Sequence, residues 1–361
     1  MGKRGLLMVA ALAAVGLLVW HAVGRPPAPE PDPVVAPPAD ASEDTGEPVG
    51  PVTVTSSDTL ALPVEIDEIR IGGVPAVEVR GEARRDLSWT LSAEATASDE
   101  AAARASAATA VLRRNDQGRV LSLGVAADEA VVPTSRLTLL VPAATRLRLE
   151  NSAEATVEGV DTVRLENLPG RTTLRHVEGG VDGSHRSGDL LVEHAGRVTL
   201  TLNGTAAILR DVQGELRLDA RGGSTTIERP AGVTAVEAVD QRLVISHASG
   251  PIRGSARGGE VEIEAPGALV DFDVRGADLT LRLAAPVPVM LFGRDAHMEI
   301  TLPREGDIRL DVVSEGGTID ATALGLEPAT MAGEQSLSTE SAGPRLTIRT
   351  QRGAVVIRPG K

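Results

Sequence analysis

The sequence lacks cysteine and tyrosine altogether and has only two tryptophans and two phenylalanines among its 361 residues. Lysine occurs only at Lys3 and Lys361, so nearly every basic residue is an arginine. Without cysteine there is no disulfide framework, no thiolate catalysis and no cysteine-ligated zinc or iron–sulfur centre. Without an interior lysine, a Walker-type phosphate loop and Schiff-base chemistry are excluded. The net charge of −14 and the scarcity of aromatic rings argue against nucleic acid as a partner.

The N-terminal residues are typical of a segment that directs export. Residues 6–23 form an apolar run that follows the basic residues Lys3 and Arg4. The run has about the minimum length that spans a hydrocarbon core of roughly 30 Å, and the basic residues before it predict that the rest of the chain is exported. A cleaved signal peptide is the alternative, because Ala22 and Gly24 are small residues at the positions that a signal peptidase reads. We therefore expect residues 1–24 to be a transmembrane anchor or a signal peptide, with the bulk of the chain extracytoplasmic.

Two further segments precede the repeats. Residues 25–57 are rich in proline and carry six carboxylates but no basic residue after Arg25, which predicts a disordered linker. Residues 58–136 predict a β cap, because apolar and polar residues alternate in several short runs. Within this cap we expect one short helix over residues 98–106, with Ser98 as its N-cap. We also expect a hairpin in which residues 110–114 and 119–125 flank a four-residue turn.

The remaining residues, 137–361, are dominated by a repeat. Glycine recurs every 16 to 19 residues in two interleaved series, and an aliphatic residue follows the first series by four positions. That aliphatic column is Leu174, Val192, Ile208, Ile227, Ile245, Ile263 and, with a slip of one, Leu281. Because strand side chains alternate between faces, these residues should stack inside a coil while the residues between them face water. The pattern predicts an all-β protein, a single-stranded parallel β-solenoid with rungs of ~17–18 residues.

Few residues of the repeat suggest chemistry. His176 and His194 should lie on adjacent rungs and could share a metal, although a polar corner stack explains them better. Asp182, Ser184 and His185 are triad residue types, but neighbours along an extended strand cannot adopt triad geometry. Asn203 begins a formal glycosylation site that a glycine corner explains equally well. Phe272 and Phe292 fall at strand positions that favour core packing. We expect no catalytic, cofactor-binding or metal-ligating residue, and no cofactor.

The chain resembles the bacterial putative-adhesin family of the beta-strand-repeat type, also called domain of unknown function 4097. The resemblance rests on the strand of residues 137–142, on the glycine-punctuated rungs and on the alternating apolar residues of the ending, 345–357. It covers about residues 60–360. It implies a surface or envelope protein that is often tethered to a membrane, has no defined ligand and has no catalytic residues.

The function predicted from these observations is a membrane-tethered, adhesin-like solenoid of the bacterial cell envelope that acts as a non-catalytic binding or scaffolding surface. Its expected partners are the membrane, through the N-terminal helix, and an envelope protein or surface polymer, with no nucleic acid and no small-molecule substrate. An envelope-stress or regulatory partner protein is the alternative. A polysaccharide-acting β-helix enzyme fits less well, since its sugar-stacking aromatics are missing, and a hexapeptide acyltransferase would repeat an aliphatic every six residues.

Overall fold

The computed structural model describes residues 50–62, 66–127 and 134–360. The predicted anchor, residues 1–24, and most of the predicted linker, residues 25–57, lie outside this part of the chain. No helix within it is long and apolar enough to cross a membrane. The linker prediction extends too far, because a strand already begins at Val52 and pairs along its whole length with a later strand.

The N-terminal part of the described chain contains nine strands and one helix, α1 (Glu100–Ala107). The strands are β1 (Val52–Ala61), β2 (Glu68–Gly72), β3 (Ala76–Glu82), β4 (Asp86–Ala95), β5 (Val111–Gln117), β6 (Val120–Ala126), β7 (Arg136–Pro142), β8 (Arg146–Glu150) and β9 (Glu154–Glu158).

Two local predictions in this part need correction. The predicted helix is present, but its N-cap is Asp99 and not Ser98, because the Asp99 carboxylate accepts a hydrogen bond of 2.8 Å from the Ala102 backbone N–H. The predicted hairpin is also present, as the antiparallel pair β5–β6. Its turn contains only Gly118 and Arg119, since Asn115, Asp116 and Gln117 continue the strand.

The middle of the chain is a ladder of parallel strands. Its strands are β10 (Thr162–Arg210), β11 (Leu216–Glu228), β12 (Thr234–Ser246), β13 (Ile252–Glu264), β14 (Val270–Arg275), β15 (Asp278–Arg282), β16 (Val289–Arg294) and β17 (His297–Thr301). From Val198 in β10 to Glu264 in β13 each paired residue pairs with the residue 18 positions further on, as Ile227 does with Ile245 and Ile245 with Ile263. We call each such unit, two strand segments and the corner between them, a rung. The prediction of a mostly-β, mostly parallel structure is confirmed.

The aliphatic column of the prediction is buried with one exception. Leu174, Val192, Ile227, Ile245, Ile263 and Leu281 are almost fully buried. Ile208 is 37% exposed, and its neighbour Leu209 occupies the buried position opposite Ile227. The error arises because Gly223 pairs with Thr205 and not with Gly204, so counting from Gly204 moves every residue of that rung to the wrong face.

The C-terminal part adds β18 (Arg309–Glu315), β19 (Thr318–Asp320), a 3-10 helix (Thr322–Leu324), β20 (Ala329–Met331), β21 (Glu334–Ser338), β22 (Arg345–Gln351) and β23 (Ala354–Arg358). Here the order of the rungs in space departs from their order in the chain. Strand β22 pairs with β16 on one side and with β18 on the other, and β23 likewise lies between β17 and β19. The last rung of the chain is therefore inserted between two earlier rungs.

The same inversion occurs at the other end of the ladder. Strand β2 pairs with both β6 and β8, and β3 pairs with both β7 and β9, all of them in parallel. The first rung of the chain thus lies between two rungs that follow it in sequence. The prediction of a cap over residues 58–136, separate from a coil beginning at residue 137, is wrong in this respect, since β2 and β3 belong to the ladder itself.

The two phenylalanines have opposite environments. Phe272 is fully buried opposite Gly254, where an added Cβ would lie 2.7 Å from the Phe272 ring, so the missing side chain makes room for the ring. Phe292 is 45% exposed, which contradicts the prediction of core packing. In its strand Val289 and Leu291 point inward, and the alternation therefore turns Phe292 outward.

Replacing Ile227 by Asp should lower the free energy of unfolding by about 3–5 kcal/mol, because an unpaired charge would stand in the fully buried aliphatic column. The matched variant Thr226→Asp changes the neighbouring, outward-facing residue and should alter the free energy by less than about 1 kcal/mol. Urea unfolding followed by circular dichroism measures both. Equal losses of stability would mean that the two faces have been assigned incorrectly.

Candidate binding surface

The two histidines predicted to be neighbours do lie side by side at one corner of the ladder. The rings of His176 and His194 stack with centroids 5.1 Å apart and an interplanar angle of 15°. Glu158 Oε1 lies 3.8 Å from His176 Nδ1, and Asp211 Oδ2 lies 3.7 Å from His194 Nε2. The described residues contain no group of three or more potential metal ligands. The arrangement is a polar corner stack in which each imidazole faces its own carboxylate.

On the next two rungs an ion pair occupies the same corner. Arg229 donates two hydrogen bonds, of 2.8 and 2.9 Å, to the Asp211 carboxylate, and these bonds lower the pKa of Asp211. Asp211 occupies the corner position after His194, 17 residues further on, because of the same one-residue shift that exposes Ile208. His176, His194, Asp211, Arg229 and His247 all have φ between 50 and 56°. The same left-handed backbone conformation therefore recurs at this corner on successive rungs, and it places these five residues one above another.

The triad residue types are separated, as their sequence spacing predicts. The Ser184 hydroxyl donates to Asn167 Oδ1 at 3.1 Å, and the Asp182 carboxylate lies 3.8 Å from Arg164 Nε. His185 turns into the interior and is completely buried. Neither Ser184 nor Asp182 contacts the imidazole through any hydrogen bond in the described structure.

His185 is part of a polar cluster inside the ladder. Its Nδ1 lies 3.2 Å from Thr205 Oγ1, and its Nε2 lies 3.3 Å from Thr172 Oγ1. Burial lowers the pKa of His185, and the nearby charge of Asp189 only partly opposes this shift. Sequence reasoning missed this residue as an interior group, although a signal exists: His185 shares the inward phase of the alternation with Val181. Thr205, the hydroxyl residue of the formal glycosylation site at Asn203, is buried in the same cluster.

A groove of about 460 Å³ lies on the outer face of β10 and β11. Outward-facing side chains form its floor: Thr173, Leu191, Ala206, Ile208 and Thr226. Leu191 and Ile208 turn outward because their neighbours Leu190, Val192, Ala207 and Leu209 occupy the buried positions. The groove is therefore an apolar strip on an otherwise polar sheet face. Sequence reasoning did not find it, because it assigned Ile208 to the core.

A chain of ion pairs borders the groove. A Glu193 carboxylate oxygen lies 2.8 Å from Arg175 Nε, and the other lies 3.3 Å from Arg210 Nη1. Arg210 Nε in turn lies 2.9 Å from Glu228 Oε2. We call these four residues the ion-pair ladder. The hydrogen bond from Arg175, followed by the weaker one from Arg210, lowers the pKa of Glu193 despite some desolvation. Glu193 therefore stays charged at neutral pH, and the residues lining the groove include no histidine. The arrangement presents an apolar strip beside a row of fixed charges.

No family model and no curated protein matches this sequence. Among solved structures, a putative adhesin from Parabacteroides distasonis ATCC 8503 is 9% identical, with a TM-score of 0.35 over 85% of this chain and 97% of that chain. A putative adhesin from Parabacteroides merdae ATCC 43184 is 10% identical, with a TM-score of 0.32 over 85% and 96%. A putative lipid binding protein from Parabacteroides distasonis ATCC 8503 is 10% identical, with a TM-score of 0.31 over 86% and 97%. Similarities at this level carry no conclusion about this chain, and membership of the family known as domain of unknown function 4097 stays a prediction.

Acid should destabilise the protein through His185. Unfolded histidine has a pKa of about 6.5, and burial lowers the value in the folded state, so below that pH the unfolded chain binds the proton more readily. The contribution of His185 is complete above pH ~6.5 and is lost as the pH falls through the folded pKa. Urea unfolding at pH 7.5 and pH 5 should show a smaller loss of stability for His185→Met than for the parent chain.

The exposed residue His247 provides the control for this measurement. His247→Gln should keep the pH dependence of the parent protein, because its ring is not buried. If His185→Met and His247→Gln show the same dependence on pH, the burial of His185 does not couple stability to its protonation.

Proposed function

We propose that the parallel ladder winds as a single-stranded β-solenoid. The support is the constant offset: Leu200 pairs with Leu218, Leu218 with Val236 and Val236 with Gly254, each 18 residues further on. The second strand of each rung follows the same offset from Leu209 through Ile227 to Ile245. A chain that advances by one strand spacing in every period, in parallel, describes a coil.

We propose further that this coil is a non-catalytic, adhesin-like binding or scaffolding surface of the bacterial cell envelope, with an envelope protein or surface polymer as its partner. The observation that carries the proposal is the groove, where Leu191 and Ile208 face outward beside the ion-pair ladder. Exposed apolar side chains that are grouped and bordered by polar residues are typical of interaction sites. The fixed ion pairs would orient a partner without adding net charge.

The electrostatics of the groove disfavour the alternative of a polysaccharide-acting enzyme. A general acid for glycoside cleavage needs a carboxyl whose pKa is raised, so that it holds a proton at neutral pH. Hydrogen bonds from Arg175 and Arg210 instead lower the pKa of Glu193, so this carboxyl does not hold a proton at neutral pH. An envelope-stress or regulatory partner remains the second proposal, and it would use the same surface to bind a protein.

The binding proposal is tested with the double variant Leu191→Asp/Ile208→Asp. Co-sedimentation of the full chain with purified envelope polysaccharide and with envelope fragments should show binding by the parent and at least a tenfold weaker affinity for the variant. The matched control, Thr199→Asp/Ala235→Asp, adds the same charge at outward positions of the other strand of each rung and should bind like the parent. Equal binding by both variants would contradict the role of the groove, and turnover of the polysaccharide would contradict the non-enzymatic proposal.

The cellular location is proposed from the sequence alone: residues 1–24 anchor the chain, the residues from 25 up to the start of β1 act as a spacer, and the rest is extracytoplasmic. Cell fractionation with an antibody against the repeat domain should recover the chain with membranes, and added protease should digest it in spheroplasts. A soluble periplasmic or secreted product would favour the cleaved signal peptide. Protection from protease in spheroplasts would contradict export.

A further inference from the structure

A second concave site lies apart from the groove, at the corner where β3 and β7 end and where β2, β6 and β8 begin. It is an open cavity of about 610 Å³, within the range of small-molecule sites. Its apolar lining comes from Leu62, Ile66, Ile69, Pro142 and Ala144. Ile69 belongs to the buried core, so the cavity exposes the edge of that core at its base.

Four arginines surround this apolar lining: Arg84, Arg85, Arg119 and Arg146. They come from three separate places in the chain, since Arg84 and Arg85 are neighbours in sequence, and the inverted order of the first rungs brings them together. Arg119 immediately precedes β6 and Arg146 is the first residue of β8, the two strands that flank β2. In a chain with a net charge of −14, one cavity therefore collects four guanidinium groups.

The four guanidinium groups are not equally available. The Arg84 side chain is only 19% exposed and is fixed by Asp86, at 2.9 Å, and by Glu82, at 3.5 Å. Arg119 pairs with Asp67. Arg85 and Arg146 are exposed and form no ion pair or side-chain hydrogen bond within the described part of the chain. Among the described residues, two cations thus have no ion-pair partner, beside two that are held in place.

We propose that this cavity binds an anionic amphiphile, a molecule with one carboxylate or phosphate group and a short apolar chain. The exposed guanidiniums of Arg85 and Arg146 offer forked donors that match the oxygens of such a group. The apolar lining would remove the chain from water, which distinguishes this ligand from a simple inorganic anion. The proposal adds a small molecule to the partners expected from the sequence, which include no small-molecule substrate, and it does not depend on the groove.

The test uses the full chain in nanodiscs of zwitterionic phosphatidylcholine, titrated calorimetrically with octyl phosphate against empty nanodiscs as the blank. We expect saturable binding of one octyl phosphate per chain. Octanol, which keeps the chain without the charge, and inorganic phosphate, which keeps the charge without the chain, should each bind at least tenfold more weakly. Inorganic phosphate that binds as tightly as octyl phosphate would overturn the amphiphile proposal.

Charge-reversal variants assign the site. Arg85→Glu/Arg146→Glu should weaken octyl phosphate binding at least tenfold, and unfolding curves establish that the variant is folded. The matched control, Arg217→Glu/Arg253→Glu, reverses two exposed arginines on other rungs and should bind like the parent. Unchanged binding by Arg85→Glu/Arg146→Glu would overturn the proposal.

Two sources of the ligand are then separated by competition. If the ligand is a lipid headgroup within a bilayer, nanodiscs that contain phosphatidylglycerol should compete with octyl phosphate. If it is a free amphiphile, octanoate should compete and phosphatidylglycerol nanodiscs should not. Failure of both competitors would contradict the proposed ligand class. The groove variants Leu191→Asp/Ile208→Asp should bind octyl phosphate like the parent, so the two proposals can fail separately.

Discussion

The parallel, in-register pairing of residues 18 positions apart is the constraint on which the rest of the structure depends. It places like residues over like, so that Ile227, Ile245 and Ile263 bury one another in a continuous column. It also brings the backbones of successive corners close together. A Cβ added to Gly250 would lie 2.1 Å from the carbonyl oxygen of Gly232, which is why the corner keeps glycine. The same offset joins Arg175 to Glu193 and Arg210 to Glu228 on the surface.

An open parallel ladder would end in unpaired strand edges, and such edges invite association with other chains. Here antiparallel strands pair with the ladder at both of its ends. At the N-terminal end β4 pairs antiparallel with β7, and β5 with β6, while at the C-terminal end β21 covers β18 in the same way. The inverted order of rungs adds a second protection. The first and last rungs of the ladder in sequence are each held between two others, so neither forms an edge. The pairings of the inverted rungs, such as Val77 with Ala155 and Val289 with Leu346, join residues far apart in sequence, and contacts of this kind slow folding.

The sequence predicts the repeating part of the fold well, because period and alternation are local properties. The exceptions have local causes too: a one-residue shift at Gly204 moved Ile208 to the wrong face, and the phase of a single strand exposes Phe292. The order of rungs at the two ends could not be predicted, since neighbouring strands carry the same apolar alternation and fit one another in several orders. The cavity of Arg84, Arg85, Arg119 and Arg146 depends on that order and was therefore also hidden.

The candidate sites differ from the core in how they use the repeat. Along the aliphatic column every rung contributes the same kind of residue, which favours stability and leaves nothing specific for recognition. The groove arises where the repeat is broken, at the rung with the shifted register, and the arginine cavity arises where the order of rungs is inverted. Likewise, the buried polar contacts of His185 with Thr172 and Thr205 interrupt the aliphatic interior, and Thr172 also lines the groove. In this chain the irregular rungs carry the features that can distinguish one partner from another, and the regular rungs hold those features at fixed spacing.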